Sequence, residues 1–167
     1  VLVSRTAPGL VTRFFENEVP EIKQGIVVVK GVARDPGQRT KIAIYSEDPS
    51  IDAVGACVGT KGARVNAIVS ELGGEKIDII PWSENPLEFI SSALSPARVI
   101  KVIQTGDESA MAIVPDDKLS LAIGRSGQNA RLAVRLTGWK IDVKSESVAI
   151  SEGIDSTLGV APETLGE

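Results

Sequence analysis

LAIGRSGQNARLAVRLTGWKIDV, Leu121 to Val143, is the stretch that decides how this chain is read. Its apolar residues have helical spacing, yet Gly124 and Gly127 bracket two polar residues near its start. Glycine costs roughly 1 kcal/mol per helical position against alanine, so a pair three apart predicts a break between two helices. Nearly the same text stands earlier, as VGTKGARVNAIVSELGGEKIDI from Val58 to Ile79. Gly59 and Gly62 align with Gly124 and Gly127 at an offset of 65; Leu72, Gly74, Lys76, Ile77 and Asp78 align with Leu136, Gly138, Lys140, Ile141 and Asp142 at 64. Two copies of a unit this long predict a duplicated small domain rather than a solenoid.

Working outward from the glycine pairs, each half shows the same order of elements. In the first, Leu10, Val11, Phe14 and Phe15 have helical spacing, and Ile26–Arg34 and Thr40–Ser46 read as strands around the turn Asp35-Pro36-Gly37-Gln38. A short helix over Ile51–Val58, the break, a helix burying Val65, Ile68, Val69 and Leu72, and a strand over Lys76–Ile80 complete it. The second half repeats the order, with a helix over Pro86–Leu94, strands over Arg98–Gln104 and Ala110–Val114, the two helices around Gly124–Gly127, and a strand over Trp139–Lys144. The class is α+β, with an α-β-β-α-α-β order in each half, antiparallel-rich sheets and helices on one face. The expected division is a lead-in over 1–9, a first domain over 10–82, a second over 83–146, and an acidic tail or linker over 147–167. Halves of about 65 residues sit near the lower limit for an independent core, so the two are expected to pack rigidly on each other.

The chain has 167 residues, 43% hydrophobic and 24% charged, with a net charge of −4. That balance looks wrong for a nucleic-acid binder, but its distribution is uneven. Residues 145–167 hold five acids and no lysine or arginine, whereas six basic residues and one acid lie between Lys118 and Lys144. The second half therefore carries a local positive patch. There is no histidine and a single cysteine, Cys57, so an internal disulfide and the usual catalytic triads and zinc sites are excluded. Gly55–Lys61 has the wrong spacing for a P-loop. A non-catalytic protein without metal or cofactor is expected, and no leader or apolar run near 18 residues suggests secretion or a membrane span.

A helix, a two-residue loop between glycines and a new helix bring several backbone N–H groups to one point, at the positive end of a helix dipole. Glycine lets a phosphate approach that backbone, and Lys61 and Arg125 add charge beside it. One G-x-x-G is weak evidence. Two, each between helices and each followed by a strand, are the pattern of the KH domain, whose loop clamps about four nucleotides. The element order resembles the bacterial type II form.

GACVGTKGARVNAIV with GEKIDI, VPDDKLSLAIGRSGQNARLA with LTGWKID, and the earlier RTAPGLVTRFFENEVPEI and ARDPGQRTKIAI resemble the tandem KH region of the NusA family of bacterial transcription elongation and termination factors, over roughly residues 4–145. That resemblance implies single-stranded RNA, the nascent transcript, as ligand. It also implies contact with RNA polymerase and other elongation factors, a role in termination and antitermination, and a cytoplasmic bacterial location. The backbone clamps it implies are Gly59, Thr60, Lys61 and Gly62, and Gly124, Arg125, Ser126 and Gly127. Arg64, Gln128, Asn129 and Arg131 follow the loops and are expected to reach phosphate, sugar or base. Val58, Ile123 and the strand edges Ile77-Asp78-Ile79 and Ile141-Asp142-Val143 are expected to form the groove for unstacked bases. With three Phe, two Trp and one Tyr, aromatic stacking is not expected to dominate; Trp82 and Trp139 read as packing residues.

Two other classes compete. A helix-turn-helix DNA binder also joins helices through a glycine-containing turn, but helix 63–72 offers few polar residues and a strand follows at once. A protein-interaction module with degenerate RNA sites fits the acidic balance, above all in the first half, where Asp52, Glu71, Glu75 and Asp78 outnumber Lys61, Arg64 and Lys76.

Overall fold

The computed structural model describes residues 8–153; most of the lead-in and the acidic stretch beyond 153 lie outside the described residues. The first half comprises α1 (Pro8–Glu18), a one-turn α2 (Pro20–Lys23), β1 (Val28–Asp35), β2 (Arg39–Tyr45), α3 (Ala53–Val58), α4 (Ala63–Glu71) and β3 (Lys76–Pro81). The second comprises α5 (Pro86–Ala93), β4 (Lys101–Gly106), β5 (Ser109–Val114), α6 (Leu119–Ile123), α7 (Gln128–Thr137) and β6 (Lys140–Ser145), followed by α8 (Glu146–Ser151). The expected order is present in both halves. The additional α2 starts on Pro20 after the extended Val19, and four residues are too few to carry a readable period.

Local chemistry places the helix ends. Asp52 caps α3 by accepting from the Gly55 N–H at 3.0 Å, and Asn85 caps α5 by accepting from the Leu87 N–H at 3.1 Å. Gly74 N–H closes α4 on Val69 O at 2.9 Å, and Gly138, at φ 75°, closes α7 on Val134 O at 2.9 Å. α8 lies almost wholly in the stretch that sequence assigns to the tail. Ser145 caps it, Ala149 is buried, and the helix packs on β5 and β6.

Each sheet has three strands, ordered β1-β2-β3 and β4-β5-β6, with one antiparallel pair and one parallel pair. The expected antiparallel-rich sheets are thus mixed sheets. The chain between the second and third strand of each half (46–75 and 115–139) carries two helices across the sheet and brings the strand back in the same direction.

Helices lie on both faces of the first sheet. Its own α1, α3 and α4 cover one face, through Val11, Phe15, Ile42, Ile44, Cys57 and Ile68. The other face belongs to the second half: α5 and α7 contact both sheets, and Ala43 and Ile80 share a core with Phe89, Ile90, Leu94, Ala112 and Ala133. Ile80 is fully buried there, worth about 1.5–3 kcal/mol. The packing of one half on the other is therefore a hydrophobic core and not a hinge. Val65 and Val69, expected in the core, are half-buried and lie outside it. Trp82 packs edge-on against Tyr45 and Phe89, with Lys30 Nζ 4.7 Å above its ring.

Candidate nucleic-acid interface

The two glycine loops have the same backbone despite different contents. Gly59 and Gly124 have φ/ψ of 79°/175° and 81°/171°; Lys61 and Ser126 have 54°/29° and 55°/28°; Gly62 and Gly127 have 78°/13° and 75°/12°. In each, the second glycine donates its N–H to the carbonyl of the first at 3.1 Å. The first glycine lies in a region open essentially to glycine alone. A Cβ on Gly124 would lie 2.6 Å from Asn129 N, and one on Gly59 2.7 Å from Arg64 Cγ. Around Gly127 there is open space.

No side chain caps α4 or α7. The first N–H of each helix turns back into the loop, Ala63 to Thr60 O and Gln128 to Arg125 O, and the positive end of each helix dipole faces the loop. Lys61 and Arg125 are exposed and have no ion-pair partner among the described residues.

The polar residues that follow the loops are placed differently from expectation. Asn129 is 2% exposed, and its Nδ2 donates to Leu94 O and Ala122 O, both at 2.9 Å. Its side chain ties α7 to α5 and α6 instead of reaching into solvent. Its Oδ1 is buried without a partner, a cost of about 1–3 kcal/mol set against those two bonds. Arg64 donates to Ala56 O at 2.7 Å and to Glu21 at 3.0 Å, which holds the guanidinium against α2. Gln128 Nε2 donates to Gln38 Oε1 at 2.7 Å and to Asp35 Oδ2 at 3.3 Å. Arg131 and Arg135 meet the same Asp35 carboxylate at 2.8 and 3.2 Å. The Arg131 guanidinium first, then Gln128 and Arg135, hold Asp35 below the usual carboxylate range against the opposing effect of burial. The polar side of α7, which a helix-turn-helix reading sends to a DNA groove, engages the first domain.

Along the strands, Ile77 and Ile79 lean on the first core, Ile141 and Val143 on the second, and Asp142 is exposed. Asp78 accepts from Arg39 Nη1 at 2.9 Å and from the buried Lys41 Nζ at 2.8 Å. Burial pushes the Lys41 ammonium below its ordinary value, and Asp78 opposes that; a further bond to Ser95 O at 2.6 Å joins it to the second half. Val58 is half-buried, and Ile123 is 36% exposed beside Leu121 at 42%, an apolar surface residue that helical spacing did not single out.

The second loop borders a groove of about 620 Å³ whose lining includes Gln38, Arg39 and Lys76 of the first domain beside Arg125, Ser126 and Arg131. Sequence reading missed the first three, because no local signal reports a contact across some 50–90 residues of chain.

Comparison with known proteins agrees with this geometry. The NusA-like first KH domain matches residues 5–82, and the NusA-like second KH domain matches 86–150. The transcription termination/antitermination protein NusA of Bacillus subtilis is 56% identical over 173 residues, covering 98% of this chain and 47% of that protein. Its counterpart in Halalkalibacterium halodurans is 55% identical over 99% of this chain and 44% of its own length. That of Thermus thermophilus is 46% identical over 100% of this chain and 43% of its own. Among solved structures, one described as the crystal structure of APE1850 superposes with a TM-score of 0.56 at 16% identity, over 82% of this chain and 97% of that one, a likeness of fold. The chain spans less than half the length of the curated relatives it matches. With two family models side by side along residues 5–150 and such relatives along its whole length, the chain belongs to the NusA family, as its tandem KH-domain region.

Proposed function

We propose that this chain binds single-stranded RNA through its two G-x-x-G loops and does so as part of a transcription termination and antitermination factor. The observation that carries the reading is the matched pair of loops, equal in backbone shape, each at a helix N-terminus that no side chain caps and each with a cation at its rim that has no ion-pair partner among the described residues. Lys61 and Arg125 attract phosphate, the glycines let it approach the positive ends of α4 and α7, and Ile123 with Leu121 offers an apolar surface to a base at the second loop. Because the halves share a core, the second loop engages a strand already held by the first, which raises affinity without new contacts. Backbone clamping carries little sequence information, so specificity is modest. RNA polymerase and other elongation factors, in a bacterial cytoplasm, are the partners this reading entails. No described helix is long and apolar enough to cross a membrane.

The test is fluorescence anisotropy with an unstructured RNA, its DNA equivalent and a DNA duplex across a salt series. Neutralising roughly four to six phosphates gives a slope of log K against log salt near −3 to −4. Thr60→Asp/Lys61→Asp and Arg125→Asp/Ser126→Asp should each weaken RNA binding, and their combination should abolish it, with circular dichroism unchanged. Equal binding by all variants, or binding of duplex DNA alone, would overturn the proposal.

A further inference from the structure

The groove beside the second loop is built by both halves, and its far side is cationic. Arg39 and Lys76 are register partners in the β2–β3 ladder, so two like charges lie side by side at the end of the first sheet. Like charges directly opposite one another destabilise a sheet. Asp78 pairs with Arg39 and with Lys41, but Lys76 is exposed and has no ion-pair partner among the described residues. At the matching place in the second sheet the partners are Ser109 and Lys140, so the cation pair is peculiar to the sheet end that borders the second loop. The first sheet end is held there firmly. Lys76 N–H donates to Gln38 O at 3.0 Å, and the Gln38 side chain accepts from Gln128 in the first turn of α7. Asp35 at this seam is already engaged by Arg131, Arg135 and Gln128, and Lys76 and Arg125 are the groove-lining cations with no ion-pair partner among the described residues.

We infer that the second RNA site is composite: a strand clamped by Gly124–Gly127 lies in the groove between the halves, and Lys76, with Arg39 and Gln38 of the first domain, takes the adjoining phosphate. This deepens the RNA-binding reading and rests on it. It assigns Lys76 to the loop of the other domain, not to Gly59–Gly62 of its own.

The experiment is a double-mutant cycle on the whole chain, read by anisotropy with an unstructured RNA long enough to span both loops. Lys76→Gln should weaken binding about threefold to tenfold at low salt and flatten the salt slope by about 0.7. In the Arg125→Asp/Ser126→Asp background it should change nothing further, whereas in the Thr60→Asp/Lys61→Asp background it should keep its full effect. Gln38→Ala, a neutral change in the same groove, should couple the same way with no change in slope. Coupling of Lys76 to the first loop, or equal additivity in both backgrounds, overturns the composite site while the loop variants still lose RNA. If the loop variants themselves bind as the native chain does, the RNA reading falls and this inference falls with it.

Discussion

Alanine at the two glycines of the second loop should separate a backbone requirement from a ligand requirement. At Gly124, φ 81° and ψ 171° lie where only glycine is at ease, a penalty of about 1–3 kcal/mol for any side chain. The added Cβ would also sit 2.6 Å from Asn129 N and 2.7 Å from Asn129 Cβ. Neither atom can yield alone, because Asn129 is bonded to Leu94 and Ala122, so the start of α7 must shift, at a further cost of about 1–3 kcal/mol. Gly124→Ala should therefore lose about 2–6 kcal/mol, a large part of the roughly 5–15 kcal/mol that holds a domain folded. Gly127, at φ 75° and ψ 12°, is in the left-handed helical region with nothing within 4 Å, so Gly127→Ala should cost about 1–2 kcal/mol and stay folded. Its methyl group then stands in the open space where a phosphate approaches. Urea unfolding followed by tryptophan fluorescence gives the two stabilities, and anisotropy gives RNA affinity. Gly127→Ala should lose more affinity than its stability change explains. Equal stability loss at the two positions, or a Gly124→Ala protein within about 1 kcal/mol of native, would refute the reasoning from backbone geometry.

Three further outcomes follow from buried groups and from the seam. Glu75 is fully buried and accepts from Arg34 Nε and Nη2, both at 2.9 Å, from the Gly37 N–H at 2.8 Å and from Thr40; burial pushes its carboxyl up, but those donors together hold it below its ordinary value. Glu75→Gln should cost about 3–5 kcal/mol. Because the folded value is depressed, that contribution is complete above the unfolded value of about 4.5 and is lost as pH falls through the folded one, so the stability gap between native and variant should narrow as pH falls below about 4.5. Asp35→Asn, which removes a partly exposed charge at the domain seam, should cost about 1 kcal/mol at neutral pH. Its effect should fade below about pH 3.8 for the same reason of sign, and a difference that persists unchanged at low pH would mean the charge is not its source. Cys57 is fully buried, and burial first, then Glu21, pushes its thiol up to about 12. A disulfide reagent at pH 8 should label it only in urea, and rapid labelling of the folded chain would contradict its place in the core.

Much of the fold was legible because it is repeated. Glycine pairs between apolar helical runs, turn residues such as Asp35-Pro36-Gly37-Gln38, and a KID strand in each half are local signals, and each acts within a few residues of chain. Strand direction is not legible, because a parallel pair is decided by how the intervening helices cross the sheet, and that is not encoded in the strand itself. α8 reads as tail because its three apolar residues, Val148, Ala149 and Ile150, are consecutive in six and show no period until β5 and β6 provide a surface for Ala149. At the site, the loops were legible and the side chains after them were not. Asn129, Gln128 and Arg131 are polar residues next to a phosphate-type loop, and only their partners at Leu94, Ala122, Gln38 and Asp35 show that Asn129 is buried in the protein's own packing and that Gln128 and Arg131 bridge the two halves while they line the groove.

The sequence by itself determined the two loops, the helices and strands around them, and the class of ligand they suit, because backbone preference and helix-end chemistry are properties of short segments. Tertiary structure alone decided that the halves share one core, that Asp35 meets α7, and that Lys76 and Arg39 border the loop of the other domain. Those contacts join residues some 50–90 positions apart, where burial and charge pairing are fixed by how two sheets pack on α5 and α7 rather than by any spacing along the chain.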